Sequence, residues 1–269
     1  MLISAASFSL LSAFVKYLTY FNAYQLVFFR SLGTLILTSI YLRYFRIPYF
    51  GKKKVLLIIR GFVGVISMTL FFMALKYLTL GSAITLRYLA PIFATIFAAF
   101  LLKEKSKPAQ WLFFIIAFSG VLVLKGFDSL ISNFGLLLAL ASAIFSGSVY
   151  VIIRKIGKTE HPVVIINYFM GIATIFGGLL CIPYWKTPIH TEWLVLCSLG
   201  IFGFFGQLFM TKAFQIAKTN RVAPLKYIEV IFTALLGIFW LGEIYTIGNI
   251  VGILLILVGL TFNFFYKPR

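Results

Sequence analysis

Arg87-Tyr88-Leu89-Ala90-Pro91-Ile92-Phe93 returns 139 positions later as Lys226-Tyr227-Ile228-Glu229-Val230-Ile231-Phe232. The same offset aligns Gly61 with Gly200, Gly64 with Gly203, Ala74 with Ala213, Phe100 with Phe239, Leu102 with Leu241, Glu104 with Glu243 and Gly120 with Gly259. One unit is written twice, with expected copies at 1–126 and 127–269. What each copy contains follows from composition. The chain of 269 residues is 62% hydrophobic and 11% charged, against about 25% charged in an ordinary soluble domain. Its mean hydropathy is +1.04. Such a chain reads as a polytopic helical protein embedded in a lipid bilayer.

Apolar runs between charges and turn residues predict ten spans, at 2–18, 22–42, 55–75, 80–102, 109–126, 133–153, 162–184, 192–212, 222–241 and 245–266. The first span starts at once, with no cleavable signal before it. Lysine and arginine orient the spans. Arg43, Arg46, Lys52, Lys53, Lys54, Lys103, Lys105, Lys107, Arg154, Lys155, Lys158, Lys212, Lys218, Arg221, Lys267 and Arg269 fall on one side. Lys76, Lys125 and Lys186 fall on the other. The positive-inside rule then places both termini in the cytoplasm. An odd number of spans per copy inverts the second copy relative to the first. The expected fold is an all-α membrane protein of ten transmembrane helices in two inverted five-helix repeats. Inverted repeats of this kind are typical of carriers that open alternately to the two sides of a membrane.

The same positions explain where the copies diverge. Lys103-Glu104-Lys105 lies on the expected inner side, and its counterpart Gly242-Glu243-Ile244 on the outer side has lost both lysines. The net charge of +18 is thus topological, and no nucleic-acid partner is expected. Trp111, Tyr184, Trp185, Trp193 and Tyr245 near span ends read as an interfacial aromatic belt. The glycines at 61, 64, 200, 203 and 206 read as close helix–helix approaches. Cys181 and Cys197 read as small core residues, and His161 and His190 have no metal-type spacing. No cofactor or metal is expected, and no catalytic motif points to an enzyme.

Cations inside spans carry the functional signal, because a charge in hydrocarbon needs a partner, a wet cavity or an escape to the interface. Lys16 and Arg60 lie near span ends and are expected to snorkel. Arg30 lies about 12 Å into its span at 1.5 Å per residue. Arg87 and Lys226 are repeat mates, which border a central cavity or cap helix-end carbonyls. Glu229 follows Lys226 by three residues and replaces Ala90 of the first copy. It serves either as an ion-pair partner for Lys226 or as a protonatable group coupling transport to protons. Tyr88, Tyr227, Asn167 and Gln207 either bind solute or hold helices together. The excess of cations favours an anionic or zwitterionic solute.

Val27-Phe28-Phe29-Arg30-Ser31-Leu32, Ala90-Pro91-Ile92-Phe93, Leu101-Leu102-Lys103-Glu104, Arg154-Lys155 and Leu241-Gly242-Glu243 resemble the EamA family of the drug/metabolite transporter superfamily, over essentially the whole chain. The resemblance implies a secondary carrier in the inner (plasma) membrane, moving amino acids, organic anions or similar metabolites, as an exporter or exchanger. It implies a central cavity with Arg87, Tyr88, Lys226, Tyr227, Gln207 and Glu229 on its helices, and Arg30 nearby. Partners would be a small-molecule substrate, the lipid bilayer and protons, with a homodimer left open. A lipid-carrier flippase and a non-transporting membrane subunit are the alternatives.

Overall fold

A computed structural model describes residues 1–101, 108–126, 132–216 and 228–265. Among them the structure is helical throughout, with no strand. The α-helices, in chain order, are α1 (Leu2–Tyr17), α2 (Ala23–Tyr44), α3 (Lys54–Ala74), α4 (Leu80–Arg87), α5 (Ala90–Leu101), α6 (Pro108–Gly126), α7 (Asn133–Ile156), α8 (Pro162–Cys181), α9 (Glu192–Ile216), α10 (Ile228–Phe239) and α11 (Ile247–Phe265). Among the described residues six helical stretches are long and apolar enough to cross a membrane, and Leu2–Tyr17, Ile228–Phe239 and Ile247–Gly259 are apolar but shorter.

Local sequence sets the helix ends. Asn22 accepts a hydrogen bond from the Tyr24 amide at 2.9 Å, and Thr79 and Ser132 cap α4 and α7 in the same way. His161 caps α8, whose first residue is Pro162; a proline there loses no hydrogen bond. Gly157 ends α7 with φ +62°, a conformation that L side chains rarely adopt. The expected span 80–102 is broken at Tyr88–Leu89 between α4 and α5. Pro91 lacks an amide hydrogen and its ring clashes with the carbonyl four residues back, which separates the two helices.

The helices obey the offset read from the sequence. Shifted by 139 positions, α2, α3, α5 and α6 fall on α8, α9, α10 and α11, and α1 falls on the second part of α7. Packing follows the same exchange. α3 packs on α7 as α9 packs on α1, and α5 on α7 as α10 on α1. Mates also meet directly, and they meet antiparallel. Phe28 lies beside Gly177 while Thr38 bonds Asn167 at 2.9 Å, so α2 and α8 run in opposite senses. Gly120 meets Ile256 while Gly259 meets Ala117, which makes α6 and α11 antiparallel too.

The interior is unusually polar. Ser4, Ser9, Ser31, Thr34, Thr38, Ser67, Ser82 and Ser142 are buried, whereas Ile36, Ile40, Leu122, Leu179 and Leu194 are exposed. This distribution suits a lipid exterior, where interhelical hydrogen bonds and small residues hold helices together. Ser67 donates to the Ser142 carbonyl at 2.9 Å and Ser142 donates back to that of Ser67 at 2.8 Å, joining α3 to α7. Asn167 accepts from Thr38 and Ser39, so its described contacts hold α2 to α8. Both cysteines are free, and Cys197 is exposed rather than in the core.

Backbones of α2 and α9 approach closely. A Cβ added to Gly200 would lie 2.6 Å from the Gly33 Cα, backbone against backbone. Gly200→Ala should therefore cost about 1–3 kcal/mol by overpacking and lower the thermal midpoint in detergent by several degrees. Gly171→Ala, with nothing within 4 Å of its added Cβ, should be neutral or stabilising by up to about 1 kcal/mol.

Candidate functional site

Arg30 lies seven residues beyond the start of α2 and Arg60 six beyond the start of α3, each about 10 Å along its helix. Both are buried, at 3% and 1% exposure. With Arg87, at the end of α4, they line a narrow cavity of about 30 Å³. The rest of its wall includes Ser67, Met68, Ser146, Tyr150, Phe169 and Gln207. The volume holds about two waters, at 10–15 Å³ each. Arg30 feels the like charges of Arg87 and Arg60. No Asp or Glu is among the residues lining this cavity.

Aromatic rings partly offset that repulsion. The Arg60 guanidinium sits 4.1 Å from the centre of the Phe169 ring, Arg87 4.3 Å from that of Phe71, and Arg30 5.8 Å from that of Phe72. Such contacts contribute up to about 2 kcal/mol when desolvated. Burying an ion costs several kcal/mol. Hydrogen bonds add little: Arg30 contacts the Met68 sulfur, and Arg60 donates to the Gln207 side-chain oxygen at 3.4 Å. Nε of all three arginines and Nη1 of Arg60 have no hydrogen-bond partner among the described residues.

Arg60 was expected to snorkel, and the structure corrects this. A snorkelling arginine would reach back towards the start of α3. Arg60 instead points towards Gly64, where an added Cβ would lie 2.6 Å from its Nη1. The missing side chain one turn on makes room for the guanidinium, and that glycine was the available sequence signal. Lys16 does not snorkel either. Its ammonium donates to the carbonyls of Leu75 and Leu78 at 2.7 and 2.6 Å.

Of the other expected residues, Arg30, Arg87 and Gln207 meet at the cavity. Tyr88 is buried at 3% exposure and interacts with Glu229, itself buried in the first turn of α10. Lys226 and Tyr227 lie outside the described residues, and so does the expected pairing of Lys226 with Glu229.

Two carboxylates of the second copy, Glu243 and the buried Glu160, meet the starts of α4 and α3. At the start of α4 Glu243 accepts the Leu80 amide on both oxygens, at 2.8 and 2.9 Å, and the Tyr245 hydroxyl at 2.8 Å. That hydroxyl in turn accepts the Gly81 amide at 3.0 Å, so Tyr245 does more than mark an interface. Lys16 lies 3.9 Å from Glu243. The carboxylate thus satisfies a helix N-terminus that lacks intrahelical partners. At the start of α3 Glu160 accepts the Lys53 amide at 2.6 Å, and Gln215 donates to the carbonyls of Gly157 and Glu160, both at 2.8 Å.

Known proteins are similar to this chain in sequence and in fold. The model of the EamA-like transporter family matches residues 1–125 and 133–265. The chain is 29% identical to solute carrier family 35 member G1 of Homo sapiens, over 99% of this chain and 79% of that protein. It is 28% identical to the pseudopaline exporter of Pseudomonas aeruginosa, over 95% of this chain and 91% of that one. A solved crystal structure superposes with a TM-score of 0.69 over 96% of both chains, at 19% identity, a likeness of fold.

The Lys16–Glu243 contact yields a direct test. Lys16→Met leaves two carbonyls without their donor and should cost about 1–3 kcal/mol, seen as a lower thermal midpoint. Combined with Glu243→Gln, the loss should be smaller than the sum of the single losses, because both belong to one network.

Proposed function

This chain belongs to the EamA-like transporter family and is an integral protein of the plasma membrane, and on that premise we propose that it is a secondary active carrier working by alternating access. Its cargo is a small metabolite, of amino-acid or organic-anion type, and it acts as an exporter or exchanger. Ten crossings form two five-helix repeats of opposite orientation, with both termini in the cytoplasm. The antiparallel packing of α2 on α8 and of α6 on α11 supports the inversion. The distribution of loop lysines and arginines supports the orientation.

The observation that carries this reading is the arginine-lined cavity on the seam between the copies. It lies between two ties, one through Glu243 at the start of α4 and one through Glu160 at the start of α3. Loosening one tie while the other holds would open the cavity to one side only. At about 30 Å³ the cavity must widen to admit a metabolite, so binding and opening are coupled. Arg30, Arg87 and Gln207 hold the substrate, Tyr88 borders it, and Lys226 and Tyr227 supply the second copy's side of the site.

Glu229 is the candidate for proton coupling. It is buried beside Tyr88 where the first copy has Ala90, so the duplicated fold does not itself demand a carboxylate there. Proteoliposomes holding the purified chain should take up solute saturably from a mixed metabolite pool. A pH gradient should change the rate in the native protein and not in Glu229→Gln. An unchanged response in Glu229→Gln would remove proton coupling through this residue. Absence of any saturable uptake would favour a non-transporting membrane subunit.

A further inference from the structure

We propose that the cavity is selective for a compact organic anion bearing at least two negative charges; the proposal rests on the carrier reading above and names its cargo. Three guanidinium groups line the cavity and no carboxylate does so among the described residues. A monoanion leaves two of these positive charges uncompensated, and two of the arginines are buried. A zwitterionic amino acid is worse, since its ammonium group adds a fourth cation and meets no acid among the described residues that line the cavity. A dicarboxylate or a phosphate monoester leaves only one uncompensated. Its oxygens also match the forked N–H donors of arginine.

The donors for such a ligand are in place. Arg30 and Arg60 are more than nine-tenths buried, and both have N–H groups without a hydrogen-bond partner. Arg60, Arg87 and Arg30 rest against Phe169, Phe71 and Phe72, contacts that use ring faces and leave those N–H groups uncommitted. Ser67, Ser146, Tyr150 and Gln207 add neutral polar groups around them.

Comparison of the copies argues against a structural role. At the offset of 139, Arg30 corresponds to Phe169 and Arg60 to Leu199. The glycines beside them, Gly203 and Gly64, are retained as mates, as is their packing: Gly203 meets Arg30 and Gly64 meets Phe169. The duplicated scaffold is therefore built at these positions with an apolar side chain as readily as with a cation. Two of the three charges belong to one copy only, as expected for a ligand that binds once per chain.

The test uses the full chain in proteoliposomes at neutral pH, with radiolabelled succinate and glycerol 3-phosphate as dianions, lactate as a monoanion and alanine as a zwitterion. Counterflow of one or both dianions should exceed that of lactate and alanine at least about tenfold, the discrimination expected from one charge-assisted contact. Arg60→Met should cut dianion transport by about ten- to a hundredfold and raise the thermal midpoint of the ligand-free protein, because it removes an uncompensated buried charge. Arg60→Lys, which keeps the charge and loses the fork, should recover part of the rate. An Arg60→Met protein that transports dianions normally, or that is too unstable to purify, overturns the proposal and makes the arginine structural. Saturable uptake of alanine or lactate with both dianions excluded overturns it while the carrier reading stands. If no solute, including the mixed metabolite pool, is taken up saturably, both fall.

Discussion

A protein surrounded by hydrocarbon must satisfy its polar groups from within, and the architecture of this chain follows from that constraint. Serine and threonine hydroxyls are turned inward to carbonyls of neighbouring helices, as Ser4 is to Gly206 and Thr34 to Gly200. Glycines at 33, 61, 64, 200 and 203 bring those helices near enough for such short bonds to form. At the start of α4 a carboxylate from the other copy accepts the Leu80 amide, and the Tyr245 hydroxyl accepts that of Gly81. The buried atoms with no hydrogen-bond partner among the described residues include Nε of Arg30, Arg60 and Arg87, beside the hydroxyls of Ser12, Thr85 and Thr211. Holding Arg30 and Arg60 buried costs stability, and packing alone does not demand a cation at either position.

The duplicated fold separates what the scaffold needs from what the site needs. Features common to both copies are structural: Gly64 and Gly203 keep α3 and α9 close to their neighbours, and Gly120 and Gly259 do the same for α6 and α11. Features in one copy only are candidates for chemistry. Arg30 and Arg60 have apolar mates, Phe169 and Leu199, and the contact of Arg60 with Phe169 sets a cation of one copy against the ring that replaces Arg30 in the other. Glu229 against Ala90 is a third departure. A site built from such departures need not be symmetric, even where the helices around it are.

Much of the helical layout was legible in the sequence, since apolar runs and turn residues mark helices directly, and the expected and observed boundaries agree to within a few residues over most of the chain. The break at Tyr88–Leu89 was announced by Pro91, yet the run of apolar residues hid it. The site was legible only in part. Arg30, Arg87 and Gln207 were named because charge and amide groups are rare in spans. Arg60 was assigned to the interface because its distance from the helix end allowed either direction, and only Gly64 beside it shows which one it took. Lys16 was misjudged for the same reason: its partners Leu75, Leu78 and Glu243 come from two other segments, and nothing local to Lys16 points to them.

The sequence by itself determined that this chain is helical, apolar on its outside and duplicated at a spacing of 139 residues, because hydrophobic periodicity and repetition are properties of the chain read along its length. The tertiary structure decided which charges meet. Arg30, Arg60 and Arg87 lie on three helices, and whether three cations scatter to the interfaces or converge on one cavity depends on helix rotation and on the small residues that let backbones approach. Those are relations between segments, fixed by packing and by the cost of leaving a buried polar group unpaired.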